Sequence, residues 1–225
     1  MWLWYAHPVA DYTLGRQQII HTSVRLGTSM PRKSERTRQR IVEAANRLFY
    51  HKGYNQTSFS DVVEAAGVPR GNIYYYFKTK DEILEAAIKY RTERIAQMLE
   101  GWNGSYRTPI ERLHRFIDIL SNSADAIMRY GCPMGTLNTE LGKGQGELQE
   151  QAENLFKMFE SWLSDQFAEL GYAGRARELA LRLMAQGQGI STMSHVHSDA
   201  GFLLREKEHL SRWLDQLAEG NDDCA

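Results

Sequence analysis

The chain has 225 residues, 42% of them hydrophobic and 24% charged, a composition that excludes a collagen-like or fully disordered protein. The formal net charge is −1, which on average speaks against a partner as anionic as a nucleic acid. Two cysteines, Cys132 and Cys224, form neither a disulfide framework nor a four-ligand metal site, and no run reaches the ~18–20 apolar residues of a membrane span. No metal, cofactor or membrane partner is therefore expected.

Residues 1–29 carry Trp2, Trp4, Tyr5 and Tyr12 without a sustained period of 2 or 3.6 and without the basic and apolar regions of a secretory signal. They are expected to be a disordered extension or to lie upstream of the true start, since Met30-Pro31-Arg32-Lys33 reads as a natural beginning. From there the pattern is helical. Ile41, Ala44, Ala45, Leu48 and Phe49 form one stripe of a helix over about 32–52, stopped by Gly53. Ser58-Phe59-Ser60-Asp61 is a capping box opening a short helix that buries Val62, Val63 and Ala66 and ends at Gly67. A second short helix follows over about 70–77. Thr79-Lys80-Asp81-Glu82 opens a long one, expected to reach Gly101. Thr108-Pro109 starts the next helix, which carries Leu113, Phe116, Ile117 and Leu120 to about Tyr130 with a kink near 121–123. Glycines then punctuate 131–146, helix resumes to Leu170, and two more helices are expected over about 175–197 and 204–219. The fold class is all-α, about nine helices. The expected division is 1–29 extension, 30–80 head, 81–101 connecting helix and 102–225 body.

Charge is unevenly distributed over these parts. Between Met30 and Lys80 there are ten Lys or Arg against four Asp or Glu, so a basic head sits on an acidic body. That asymmetry is the footprint of a polyanion-binding module. Within the head, two short helices joined by Gly67-Val68 are a helix-turn-helix. The second begins with Arg70, Gly71 and Asn72, where a recognition helix meets base edges in the major groove. Arg pairs with guanine and Asn with adenine, while Gly71 permits close approach. Tyr74, Tyr75 and Lys80 are suited to phosphate oxygens, as are Thr57 and Ser58 at a helix N-terminus.

The run from Ala66 to Lys80, preceded by Phe49-Tyr50-His51-Lys52-Gly53-Tyr54, resembles the N-terminal domain of the TetR family of transcriptional regulators over about 33–85. Pro69 departs from the family pattern, which often has a serine cap there. The resemblance implies a two-fold dimer built on the last two long helices and a small-molecule pocket in the body. Leu179, Leu183, Ile190, Leu210, Trp213 and Leu217 are then expected at the dimer interface. Trp102, Phe116, Met128, Met134, Asn138, Phe156, Phe159, Gln188 and Met193 are expected around the pocket, with His195 and His197 as further polar candidates. These two histidines are two apart and diverge on a helix, which disfavours a metal site.

The stretch from Gly131 to Leu141, with Cys132 at its head, is similar to a segment of a TetR subgroup that includes NemR-like electrophile and redox sensors. A helix N-terminus favours thiolate, so Cys132 is a candidate sensor; the plainer reading is a small residue packed between helices. Together these features imply a cytoplasmic, homodimeric repressor that binds a palindromic operator in double-stranded DNA and is released by a small-molecule effector. An activator of the same fold is the alternative. A helical enzyme or carrier is a further one, although no nucleophile elbow, P-loop or zincin helix is present.

Overall fold

The structure is a computed structural model that describes residues 33–144 and 146–220. The 1–29 extension, the Met30 start and Cys224 lie outside these residues. Among the described residues there are ten α-helices: α1 Lys33–His51, α2 Phe59–Ala66, α3 Arg70–Tyr76, α4 Lys80–Ser105, α5 Pro109–Asn122, α6 Ala124–Tyr130, α7 Pro133–Leu141, α8 Gly146–Phe167, α9 Ala176–His197 and α10 Ala200–Ala218.

Caps set most of these boundaries. Ser58 and Asp61 close a reciprocal capping box on α2, and Thr108 and Glu111 close another on α5 with Pro109 at its first turn. Thr79 caps α4, but Glu82 accepts from the Lys78 amide rather than the Thr79 amide, so that box is half formed. Gly67 ends α2 in the left-handed region at φ 59°. Several boundaries differ from the sequence expectation. The α4 helix continues past Gly101 to Ser105, because Trp102 packs on Trp162 with ring centroids 5.5 Å apart and that packing overrides the weak helix propensity of glycine. Asp199 caps α10 through the Phe202 amide at 2.9 Å, starting that helix ahead of Leu204. The glycine-punctuated stretch after Tyr130 contains α7, with Pro133 in its first turn. The kink expected near 121–123 is a full break at Ser123 between α5 and α6.

Two cores result. Ile41, Phe49, Val62, Ile73, Phe77 and Ile83 belong to the head core, which also takes Leu137 and Leu141 of α7 and Ala152 of α8. The body core gathers Leu113, Ile117, Leu155, Phe159, Leu163, Leu179, Leu183 and Leu214. The α4 helix serves both, with Ile83 to Ile88 in the first and Ile95 to Trp102 in the second.

Polar bonds tie the head to the body at three points. Arg91 of α4 is 4% exposed and donates to Asn46 Oδ1 at 2.5 Å and to the Pro133 carbonyl at 2.9 Å. Tyr50 donates its hydroxyl to the Gly131 carbonyl at 2.9 Å. Glu140 accepts from the backbone amides of Tyr54 at 2.8 Å and Asn55 at 3.2 Å. Gly53, with φ +87°, lets the carboxylate come this close: a Cβ there would lie 2.9 Å from Glu140 Oε1. Gly53→Ala is therefore expected to destabilise the fold by about 1–2 kcal/mol, through the left-handed backbone alone and before any displacement of Glu140. A lowered denaturant midpoint at unchanged slope measures it.

Candidate functional site

The head presents one face of α3. Ile73 is fully buried and anchors the helix, while Arg70, Gly71, Asn72, Tyr74 and Tyr75 are exposed. Tyr75 is 78% exposed and Tyr74 51%, unusual for large rings and in keeping with a surface that meets another molecule. A Cβ on Gly71 would touch nothing in this chain, so the missing side chain leaves room outward rather than inward.

The neighbouring helix steadies these groups. Arg70 donates to Ser60 Oγ at 2.7 Å, and Tyr74 stacks on Phe59 at 5.1 Å. Lys78 reaches the Tyr74 carbonyl. Ser60, Phe59 and Lys78 were not singled out from sequence; Lys78, four residues beyond Tyr74, carried the only signal, as a charge next to the recognition helix. Two expected phosphate contacts are corrected. Thr57 is 1% exposed and donates its hydroxyl to the Gly53 carbonyl at 2.6 Å, so it shapes the turn and its side chain faces inward. Lys80 is half-buried, donating to the Tyr54 carbonyl at 3.0 Å and lying 4.1 Å from that ring's centre. Arg40 likewise serves the fold, donating to the carbonyls of Ala66 and Gly67 at the end of α2. Ser58 is exposed at the α2 N-terminus.

The body contains a cavity of about 70 Å³ between α5, α6, α7, α8 and α9, with Tyr50 of α1 in its wall. Of the residues expected around a pocket, Phe116, Met134, Phe156, Phe159 and Gln188 line this cavity, together with Cys132. The other expected lining residues are elsewhere. Trp102 is buried against Trp162, and Asn138 donates to the carbonyls of Met134 and Ala152. Met128 is half-buried with its carbonyl facing His195 Nδ1 at 2.9 Å, and Met193 is exposed. Periodicity identifies apolar positions but not which apolar positions surround a void.

The residues assigned to a dimer interface need the same correction. Leu179, Leu183, Ile190, Leu210 and Leu217 are buried inside the subunit, and Leu183 and Leu210 touch the cavity. Trp213 is half-buried at the edge of an external groove between α9 and α10, with the Arg182 guanidinium 5.2 Å from its ring. The large apolar groups left exposed on these helices are Leu181, Met193, Val196 and Leu204. Ser211, His114 and Asp215 form a hydrogen-bonded chain of 3.2 and 2.7 Å that resembles a nucleophile triad. It lies outside both the cavity and the groove and serves as a tie between α5 and α10. No described helix is long and apolar enough to cross a membrane, and no group of three metal-ligating side chains occurs among the described residues.

An all-helical chain with an exposed recognition helix in a helix-turn-helix head and a cavity in the body defines a DNA-binding transcription regulator. Residues 41–87 match the family model described as bacterial regulatory proteins, tetR family, and residues 109–209 match the C-terminal domain described as LmrA/YxaF-like transcriptional regulators. An HTH-type transcriptional regulator of Mycobacterium tuberculosis is 30% identical over 176 residues, covering 72% of this chain and 86% of that protein. A TetR transcriptional regulator structure from Legionella pneumophila superposes with a TM-score of 0.70 at 25% identity, over 84% of this chain and 98% of that one. The reduced form of Escherichia coli NemR, at 16% identity and a TM-score of 0.65 over 78% of this chain and 95% of that one, shares the fold alone. The chain belongs to the TetR family of transcriptional regulators.

The α2 cap that supports this site responds to pH. The Lys52 ammonium 2.6 Å from Asp61, followed by the Ser58 amide and hydroxyl, holds the Asp61 carboxyl down at about 2. A depressed carboxyl contributes stability above its unfolded value, near 3.8, and loses it as pH falls toward about 2. Asp61→Asn is expected to remove this component of the acid transition, seen by circular dichroism between about pH 4 and 2 as a smaller pH dependence of the unfolding midpoint than in the parent chain.

Proposed function

We propose that the chain is a homodimeric, effector-responsive repressor acting in the cytoplasm on a palindromic DNA operator. Each subunit lays α3 in a major groove, with Arg70 and Asn72 toward base edges and Ser58, Tyr74, Tyr75 and Lys78 toward phosphates. The exposure of these side chains around the single buried anchor Ile73 supports that docking.

The observation that carries effector response is the wall of the cavity. Pro133 in that wall and the adjacent Gly131 are bonded into the head through Arg91 and Tyr50, so a molecule entering the cavity presses on groups that position α1 and α4. An effector that binds the DNA-incompetent arrangement more tightly shifts the population by that difference and no more. For the dimer, Leu181, Ala185, Gly189, Met193 and Val196 lie three or four residues apart on α9, an exposed stripe with small residues at its centre. Such a stripe suits close pairing with a second copy, with Leu204 of α10 beside it. Cys132 in the cavity wall supports a second trigger, because an alkyl group on its thiol would occupy the same space as a ligand.

Quantitative binding to duplex DNA flanking the gene tests the docking. Asn72→Ala should cost about 1–3 kcal/mol at the preferred sequence and relax preference at one base pair. Lys78→Ala should weaken all sequences alike and flatten the slope of log affinity against log salt by about 0.9. Unchanged affinity in both variants across several salt concentrations would refute the docking. Release from the operator by N-ethylmaleimide should be lost in Cys132→Ser; release equal to that of the parent removes Cys132 from the mechanism.

A further inference from the structure

We infer that Ser60 is a positioning residue for base recognition: its hydroxyl oxygen aims the Arg70 guanidinium, so that a guanine in each half-site is read through a contact between α2 and α3. This rests on the docking of α3 proposed above and adds the residue that sets its specificity. Arg70 donates from Nη2 to Ser60 Oγ at 2.7 Å, a well-formed bond between two exposed side chains. Among the described residues Arg70 has no carboxylate partner and no other hydrogen bond from its guanidinium. The direction of the group is therefore set by Ser60.

A long exposed arginine samples many rotamers, and a bidentate contact with guanine O6 and N7 uses very few of them. An acceptor that selects the rotamer beforehand removes that ordering cost from binding. The acceptor here is neutral. A carboxylate in its place would hold the guanidinium more tightly but would cancel its charge and repel the DNA, whereas the Ser60 hydroxyl leaves the charge intact. Arginine has more N–H donors than a bidentate pair uses, so the bond to Ser60 and the contact with a base are compatible.

Ser60 is itself held in place. It lies between Ser58 and Asp61, whose reciprocal bonds of 2.8 and 3.0 Å close the first turn of α2, and Lys52 grips Asp61 at 2.6 Å. Val62 in the same turn is fully buried in the head core. The preceding residue acts on the same face of α3: Phe59 packs against the head core and stacks on Tyr74, with ring centroids 5.1 Å apart and planes at 22°. Arg70 and Tyr74 are four residues apart and so neighbours on the helix surface. Adjacent residues of α2 thus hold adjacent side chains of the recognition face. At the start of α3 no local group does this, since Pro69 at the N-cap makes no side-chain hydrogen bond.

The test uses the whole chain, the duplex it selects most strongly from a randomised pool, and every single-base-pair variant of that duplex, titrated by fluorescence anisotropy at several salt concentrations. Arg70→Ala should lower the preference for guanine at one position of each half-site by roughly 5- to 150-fold. Ser60 is exposed, so Ser60→Ala leaves the packed core intact. It should lower preference at that same position by about three- to tenfold, the worth of one hydrogen bond, with the other positions and the salt slope unchanged. Ser60→Thr keeps the hydroxyl and should restore the preference. In an Arg70→Ala background, Ser60→Ala should change nothing further. A Ser60→Ala variant that weakens all sequences alike, flattens the salt slope or costs as much without Arg70 would overturn the assignment and leave Ser60 as a phosphate contact. Full preference in Ser60→Ala, or a Ser60→Thr variant as poor as Ser60→Ala, would overturn it too. The two claims separate. If Arg70→Ala relaxes one base pair while Ser60→Ala does not, the docking stands and Ser60 has no part in it; if Arg70→Ala leaves every base preference unchanged, the docking of Arg70 falls and the inference with it.

Discussion

A buried guanidinium holds the two halves of this molecule in register. Arg91 is almost wholly removed from solvent, and a buried charge persists only where its donors are met. Here they are met by Asn46 on α1 and by the Pro133 carbonyl at the start of α7, from a side chain rooted in α4. Any relative movement of the three helices would leave donors unmatched in a water-poor junction. A shift of the head against the body would have to rearrange this contact.

The role of α7 follows from that constraint. Its first residues border the cavity, its carboxylate Glu140 holds the turn after α1, and its leucines Leu137 and Leu141 complete the head core. A nine-residue helix thus belongs to both halves. The cavity wall and the anchor of the DNA-binding head are parts of one short segment. The connecting helix α4 is bonded to the start of α7 through Arg91.

Local chemistry made the head readable from sequence. The Ser58–Asp61 box, the left-handed Gly67 and the single apolar anchor Ile73 each act within a few residues, and together they fix which side of α3 faces outward. The inward turn of Thr57 and the engagement of Lys80 with Tyr54 were not legible, because both depend on a bend at Gly53 that brings distant groups together. In the body, an apolar stripe has the same appearance whether it packs on its own subunit, lines a void or meets a partner. Leu179 and Leu217 proved to be internal, while the exposed stripe from Leu181 to Val196 is interrupted by Ala185 and Gly189 and is therefore weak as a hydrophobic signal. The start of α7 was legible, since the sequence reading put Cys132 at a helix N-terminus, but its packing was not. A Cβ on Gly135 would lie 2.6 Å from Gln188 Oε1, so any larger residue there would displace the Gln188 amide, a contact between segments more than fifty residues apart that no local pattern reveals.

Docking of α3 in the major groove is tested most directly by methylation interference on duplex fragments flanking the gene. Two patches in which methylation of guanine N7 blocks binding are expected, related by a two-fold axis and separated by one helical turn, about 10–10.5 base pairs, or a multiple of it. Interference confined to the minor groove, or a fragment set in which no methylated guanine affects binding, would contradict it.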